Sequence, residues 1–254
     1  EIQTTLTELD FSIMSQVYEW DSLEYGVVKI AYKAYLPKSI VMAVLNLYHD
    51  KTVLKDVAGK EVEYLLSKGM LNSVYGMCVT DIIKDTIVYN DEWGIERVDI
   101  EEEIKKYNEA KNRFLYYAWG IWVTAYARKN LWTGILTAGM DYIYSDTDSL
   151  KVLNYDKLTG YVEWYNNSII EKMLKMCEYH KIDSKLLSPK TQDGKVKTMG
   201  IWDFEGTYKR FKTLGAKRYL VEKENSKMAL TVAGLSKQNG LEYMKEVCEK
   251  KNKK

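Results

Sequence analysis

The sequence predicts an α+β chain in which paired helices alternate with short antiparallel strands. Three observations carry this. From Pro37 to about Tyr75, apolar residues recur at three and four positions (Ile40, Val44, Leu47; Leu54, Val57; Val62, Leu65, Leu66) and break at Ala58-Gly59, which is the pattern of an antiparallel helix pair. Asp141 to Leu153 reads strand, tight turn, strand, and Tyr219 to Val232 reads as a hairpin turning at Glu224-Asn225-Ser226. Pro37 and Pro189 are the only prolines, so long helices are allowed elsewhere.

The remaining elements follow in chain order. Residues 1 to 35 hold two short apolar runs, and the β-branched and aromatic content of the second, Val27 to Tyr35, predicts a strand. Asp81 to Glu109 carries ten acidic residues against four basic ones around a Val/Ile/Tyr run at Thr86 to Tyr89, an inserted and partly β lobe. Phe114 to about Thr137 is a helix, or two helices broken near Asn130. Tyr161 to Tyr179 is helical, Ser188 to Asp193 is loop, and Leu241 to Lys254 is an amphipathic helix running into lysines.

Composition sets the outer bounds. With 46% apolar and 29% charged residues among 254, the chain is neither disordered nor fibrous and can bury a sizeable core. Cys78, Cys177 and Cys248 form no CxxC pair and fit buried or free thiols in a reducing compartment, while two histidines exclude a His-rich metal site. The longest nearly apolar stretch, Phe114 to Ala127, falls short of the roughly 18 to 20 residues that span a bilayer. Glu1 opens the chain with no secretory leader, so it is expected to be an internal piece of something longer. Net charge is +1, but residues 205 to 254 hold 13 Lys/Arg against six Glu. That excess is either the footprint of a polyanion or a solvated lysine-rich end.

Four clusters could do chemistry. Tyr144-Ser145-Asp146-Thr147-Asp148-Ser149 places two carboxylates two residues apart at a hairpin tip, where like charges are costly unless a hard cation such as Mg²⁺ neutralises them; alternatively the side chains cap the turn. Lys68, Asn72 and Tyr75 share one helical face ahead of a stop at Gly76, an arrangement suited to a polyphosphate, a sugar and a base, or simply an exposed stripe. Lys217 and Tyr219 are expected on one face of a strand with Arg218 on the other, beside Lys209, Arg210 and Lys212. Thr124 and Arg128, one turn apart, offer a phosphate contact or a helix-terminal charge.

In order, Lys68-Gly-Met-Leu-Asn72-Ser-Val-Tyr75-Gly76, Thr124-Ala-Tyr-Ala-Arg128, Tyr144-Ser-Asp146-Thr147-Asp148-Ser149 and Lys217-Arg218-Tyr219 resemble the C-terminal half of family B DNA polymerases. The insertion between the first two motifs, and the stretch from Trp202 to Tyr219, are similar to the protein-primed bacteriophage type. The resemblance spans nearly the whole chain. It implies a right-hand palm, an antiparallel sheet backed by helices, with helical-hairpin fingers and a partial thumb. The divisions would be 1–35 as the end of the first terminal-protein-region connection, 36–78 fingers, 79–112 the second terminal-protein-region insertion, 113–230 palm, and 231–254 the start of the thumb. In relatives that insertion helps encircle DNA and confers strand displacement.

The implied activity is template-directed addition of dNTPs to a primer 3′-hydroxyl, or to a hydroxyl of a terminal priming protein, using two Mg²⁺ or Mn²⁺ ions. Asp148 would bridge the metals with Asp146 beside it. Lys68 would hold the triphosphate, with Lys51 and Lys55 as further contacts, and Asn72 and Tyr75 would line the base and sugar. Tyr144 and Thr147 would lie near the primer terminus, Lys217 and Tyr219 along the primer-template backbone, and Thr124 and Arg128 on template phosphates. A monomer acting on DNA in a host cytoplasm, away from membranes, is the corresponding expectation.

Two departures matter. The family's other metal-binding aspartate, in Asp-x-x-Ser-Leu-Tyr-Pro, has no counterpart beyond the partial echo Asp21-Ser-Leu-Glu-Tyr25, so the chain alone is expected to be inactive or nearly so. Met77 stands where some relatives carry a basic residue. Competing readings are a nucleic-acid-binding fragment without turnover and a metal-dependent DxD glycosyltransferase.

Overall fold

Pro37, with φ fixed at −51°, ends an extended stretch and starts the first long helix. In the computed structural model, which describes residues 2–236 and 239–243, the chain divides into two units. One comprises the described part of Glu1–Lys129 with Asn167–Ile201, and the other Asn130–Asn166 with the described part of Trp202–Lys254. The segment 113–230, read as palm, contributes to both.

In the first unit, α1 (Glu8–Met14) is capped by Thr7, whose hydroxyl accepts from the Asp10 N–H. Helices α2 (Lys38–Val53) and α3 (Glu61–Cys78) pack as the expected hairpin, joined by a turn in which Asp56 and Gly59 take left-handed φ of 60° and 76°. Val41 and Leu45 of α2 meet Cys177 and Leu187 from far down the chain, with Met173, Met176 and Ile182 around them. The acidic lobe is a hairpin of β1 (Thr86–Asn90) and β2 (Glu92–Glu96), followed by α4 (Ile100–Glu109), which Asp99 caps through two backbone amides. The first part of α5 (Tyr117–Ala138) and the last part of α6 (Thr159–His180) complete the unit. Cys78 and Cys177 are buried, unpaired thiols pushed up in pKa by desolvation, whereas Cys248 lies outside the described residues.

Two local expectations are corrected. Val27 to Tyr35 is not a strand: Val27, Ile30 and Tyr32 are exposed, and among the described residues no neighbouring strand supplies the ladder such a segment needs. Gly76 does not stop α3, which runs on to Cys78. Its end is set instead by packing, because the Tyr116 N–H donates to the Cys78 carbonyl at 3.1 Å. Gly120 lets the chain pass there, since a Cβ at that position would come within 2.1 Å of the Val79 side chain. Of the two alternatives for Phe114 to about Thr137, the unbroken helix is the one formed: α5 is continuous through Asn130, whose amide donates to the Tyr165 hydroxyl rather than competing for its own backbone.

In the second unit, β3 (Tyr142–Asp146) and β4 (Ser149–Val152) form one antiparallel hairpin. A separate meander orders β5 (Tyr208–Gly215), β6 (Arg218–Lys223) and β7 (Met228–Val232). Gly134 of α5 sits 3.2 Å, measured from an added Cβ, from the Leu150 side chain, so the hairpin backs directly onto that helix. Asn166 grips the Trp202 backbone twice, donating to its carbonyl and accepting from its N–H at 2.9 and 2.8 Å. The helix expected over Leu241 to Lys254 lies largely outside the described residues. Among those described, no helix is long and apolar enough to cross a membrane.

Leu45 is 2% exposed at the centre of its cluster. Leu45→Ala should cost about 2–5 kcal/mol by cavity formation. We expect a lower urea midpoint, while Leu65→Ala on the exposed side of α3 should stay within about 0.5 kcal/mol.

Candidate functional site

The sequence places Asp146 and Asp148 around a turn, and the ladder makes that turn as short as a hairpin allows, since Asp146 pairs with Ser149. Thr147, between the carboxylates, has φ of 53°, and the Asp148 N–H donates to the Asp146 carbonyl at 2.6 Å. A bond from residue i to i+2 across a left-handed residue marks a γ-type turn, a strained geometry for a β-branched side chain. The Thr147 hydroxyl donates to Asp146 Oδ1 at 3.0 Å. Asp148 is exposed at the tip.

Lys217 comes to this turn from 71 residues away. It is not a strand residue, as its expected face-sharing with Tyr219 required; it occupies the β5–β6 turn with φ of 54°, and β6 begins at Arg218. Its side chain nevertheless reaches Asp146, with Nζ 2.7 and 2.9 Å from the two carboxylate oxygens. Its backbone N–H donates to the Tyr144 hydroxyl at 2.9 Å. Tyr144 is buried, and its ring lies 5.6 Å from Phe211 and 5.3 Å from Tyr219, which stack on each other at 5.2 Å. Two of the four motifs are thus brought together within one unit. The ammonium of Lys217 holds the Asp146 carboxyl below the usual carboxylate range, and Asp146 in turn raises Lys217.

Two carboxylates and a hydroxyl are hard oxygen donors, and Mg²⁺ is commonly held by one or two carboxylates, with water and substrate phosphates completing the shell. Among the described residues no group of three or more His, Cys, Asp or Glu gathers as a complete cage. The turn therefore fits part of a magnesium site, Asp148 openly and Asp146 in competition with Lys217.

In the other unit, Lys68, Asn72 and Tyr75 are exposed on one face of α3, with Lys68 Nζ 5.9 Å from the Tyr64 ring. Lys51 lies on α2, 5.8 Å from the Tyr48 ring, while Lys55 falls in the turn beyond that helix. Arg128 forks onto Asp10 at 2.7 and 2.8 Å and lowers that carboxyl, so any phosphate must compete with Asp10. The Thr124 hydroxyl donates back to the Ile121 carbonyl at 2.9 Å. Sequence reading missed Asp10 and Phe211. Thr7 three residues before Asp10 is a capping pattern that was visible, and Phe211 was hidden among the lysines of β5.

No protein-family model, curated protein or solved structure matches this chain.

The sign of the Asp146 shift sets a pH dependence. A lowered folded-state pKa means the pair stabilises fully above the ordinary value of 3.8, and that contribution disappears as pH falls through the lowered value. In Lys217→Met, the ¹³C carboxyl titration of Asp146 should move up toward 3.8. An unmoved midpoint would show that Lys217 is not the cause.

Proposed function

We propose that this chain supplies fingers and palm elements of a DNA-directed DNA polymerase similar to the protein-primed branch of family B. The observation that carries the reading is the meeting of the Asp146-Thr147-Asp148 turn with Lys217 in the β5–β6 turn and Tyr219 of β6 through Tyr144. Two motifs far apart in sequence converge on one carboxylate, which coincidence of short motifs would not require.

On this reading Asp148 is the principal metal-holding carboxylate and Asp146 the secondary one. Bound Mg²⁺ ions would lower the pKa of the attacking 3′-hydroxyl and offset the negative charge on the leaving pyrophosphate. Thr147 and Tyr144 shape the turn that faces the primer end. Tyr219 and Lys217 offer a ring and a cation to the primer-template backbone, and the exposed Lys209, Arg210 and Lys212 extend that basic surface along β5. On the other unit, Lys68 holds the triphosphate tail with Lys51 and Lys55 in support, and Asn72 and Tyr75 meet base and sugar. Thr124 and Arg128 contact template phosphate, Arg128 by exchanging Asp10 for it. Partners are then primer-template DNA, dNTPs and a priming protein.

A second reading, a nucleic-acid-binding fragment without turnover, is favoured by the incomplete donor set. One experiment separates the two. The chain is incubated with primer-template, dNTPs and Mg²⁺, alone and with a polypeptide that carries the family's Asp-x-x-Ser-Leu-Tyr-Pro segment. The polymerase reading expects extension when that segment is supplied, abolished by Asp148→Ala with duplex retention in a mobility-shift assay unchanged. Normal extension by Asp148→Ala would refute the role of Asp148, and retention without extension under every condition would favour the second reading.

A further inference from the structure

Lys217 makes two bonds of different kinds. Its backbone is pinned, because the N–H is given to the buried Tyr144 and φ is left-handed at 54°. Its side chain is not pinned: it is 53% exposed and reaches a carboxylate that is itself 27% exposed. The ammonium covers both oxygens of Asp146, and Oδ1 also accepts from Thr147. A divalent cation approaching Asp146 therefore meets a carboxylate whose charge is already neutralised. An exposed lysine-carboxylate pair is weak and screened by salt, so a competing anion can take the ammonium away.

The geometry points to Lys217 as a positioning residue that latches Asp146 against divalent cations until a phosphodiester backbone draws its ammonium off. This deepens the polymerase reading and rests on it for the identity of the anion. The exchange is charge-balanced: Lys217 moves from carboxylate to phosphate, and the freed carboxylate takes the cation. Because the two ligands compete with the two ends of one bond, their binding is reciprocal. DNA raises affinity for the cation, and the cation raises affinity for DNA above the trend that salt screening alone sets. Arg218, next in sequence, is likewise exposed. A lysine suits this role better than an arginine, being a point charge on a flexible stem rather than a rigid fork.

The test is Mn²⁺ binding followed by electron paramagnetic resonance, with and without a primer-template duplex. Wild type should bind Mn²⁺ more tightly once duplex is added. Lys217→Met should show about a fivefold gain without duplex, of the order set by an exposed ion pair, and no further gain with it. Lys217→Asn, which keeps a side chain at home in left-handed backbone, should do the same if the methionine variant folds poorly. Lys217→Arg should restore wild-type behaviour at least in part. Equal Mn²⁺ affinity in wild type, Lys217→Met and Lys217→Asn overturns the latch, whatever the DNA result. Failure of wild type to retain duplex in a mobility-shift assay overturns the polymerase reading, and the latch then stands or falls on the variants without DNA.

Discussion

The hydrogen bond from the Lys217 amide to the Tyr144 hydroxyl constrains everything else at the candidate site. Tyr144 is 7% exposed, and a phenol removed from water must find a partner or lose the bonds it had. It finds one in the β5–β6 turn, which belongs to a different sheet from its own. The bond and the rings of Phe211 and Tyr219 fix the distance between the two sheets at this point. Lys217 is thereby set within reach of Asp146, and the charge chemistry of the turn is decided by a residue distant in sequence. Nothing about the Asp-Thr-Asp segment read alone would reveal that its first carboxylate is occupied.

Two of the cation-carboxylate contacts, Arg128 with Asp10 and Lys217 with Asp146, differ in geometry. Arg128 meets Asp10 with two parallel bonds from a planar fork, and Asp10 is further held by Thr7 at the start of α1. That network ties a short helix to α5, and breaking it would leave a carboxylate with 15% exposure to be resolvated. Lys217 uses a single ammonium on a mobile stem. The fork holds its carboxylate in one fixed geometry, whereas an ammonium on a flexible stem can meet a carboxylate from several directions.

Much of the architecture was legible because it rests on local pattern. The break at Ala58-Gly59, the strand-turn-strand around Asp146 and the hairpin turning near Asn225 all appear where apolar spacing and turn residues place them. What escaped was decided by contacts distant in sequence. Val27 to Tyr35 has strand composition but, among the described residues, no neighbour to pair with, and Gly76 would end an isolated helix but is carried through by packing of Tyr116 and Gly120 beyond it. The candidate site divides in the same way. The residue types at 146, 148 and 217 could be named from spacing, whereas the pairing of Lys217 with Asp146, and of Arg128 with Asp10, depends on tertiary geometry that no spacing encodes.

Thr147 shows what the turn gains from strain. A β-branched residue at φ of 53° costs about 1–3 kcal/mol, and glycine or asparagine would adopt that backbone more easily. Glycine, however, would remove the hydroxyl that donates to Asp146 and the side chain that restricts the backbone. A looser turn of four or five residues would relieve the strain but let the two carboxylates splay apart. The tight turn instead holds the Asp148 amide on the Asp146 carbonyl, so the separation of the two acid groups is set by backbone rather than by rotamer choice. The cation that the folded chain places at this turn is Lys217, 2.7 and 2.9 Å from the two oxygens of Asp146, so one of the turn's two carboxylates carries a partner from a distant segment while Asp148 stays exposed.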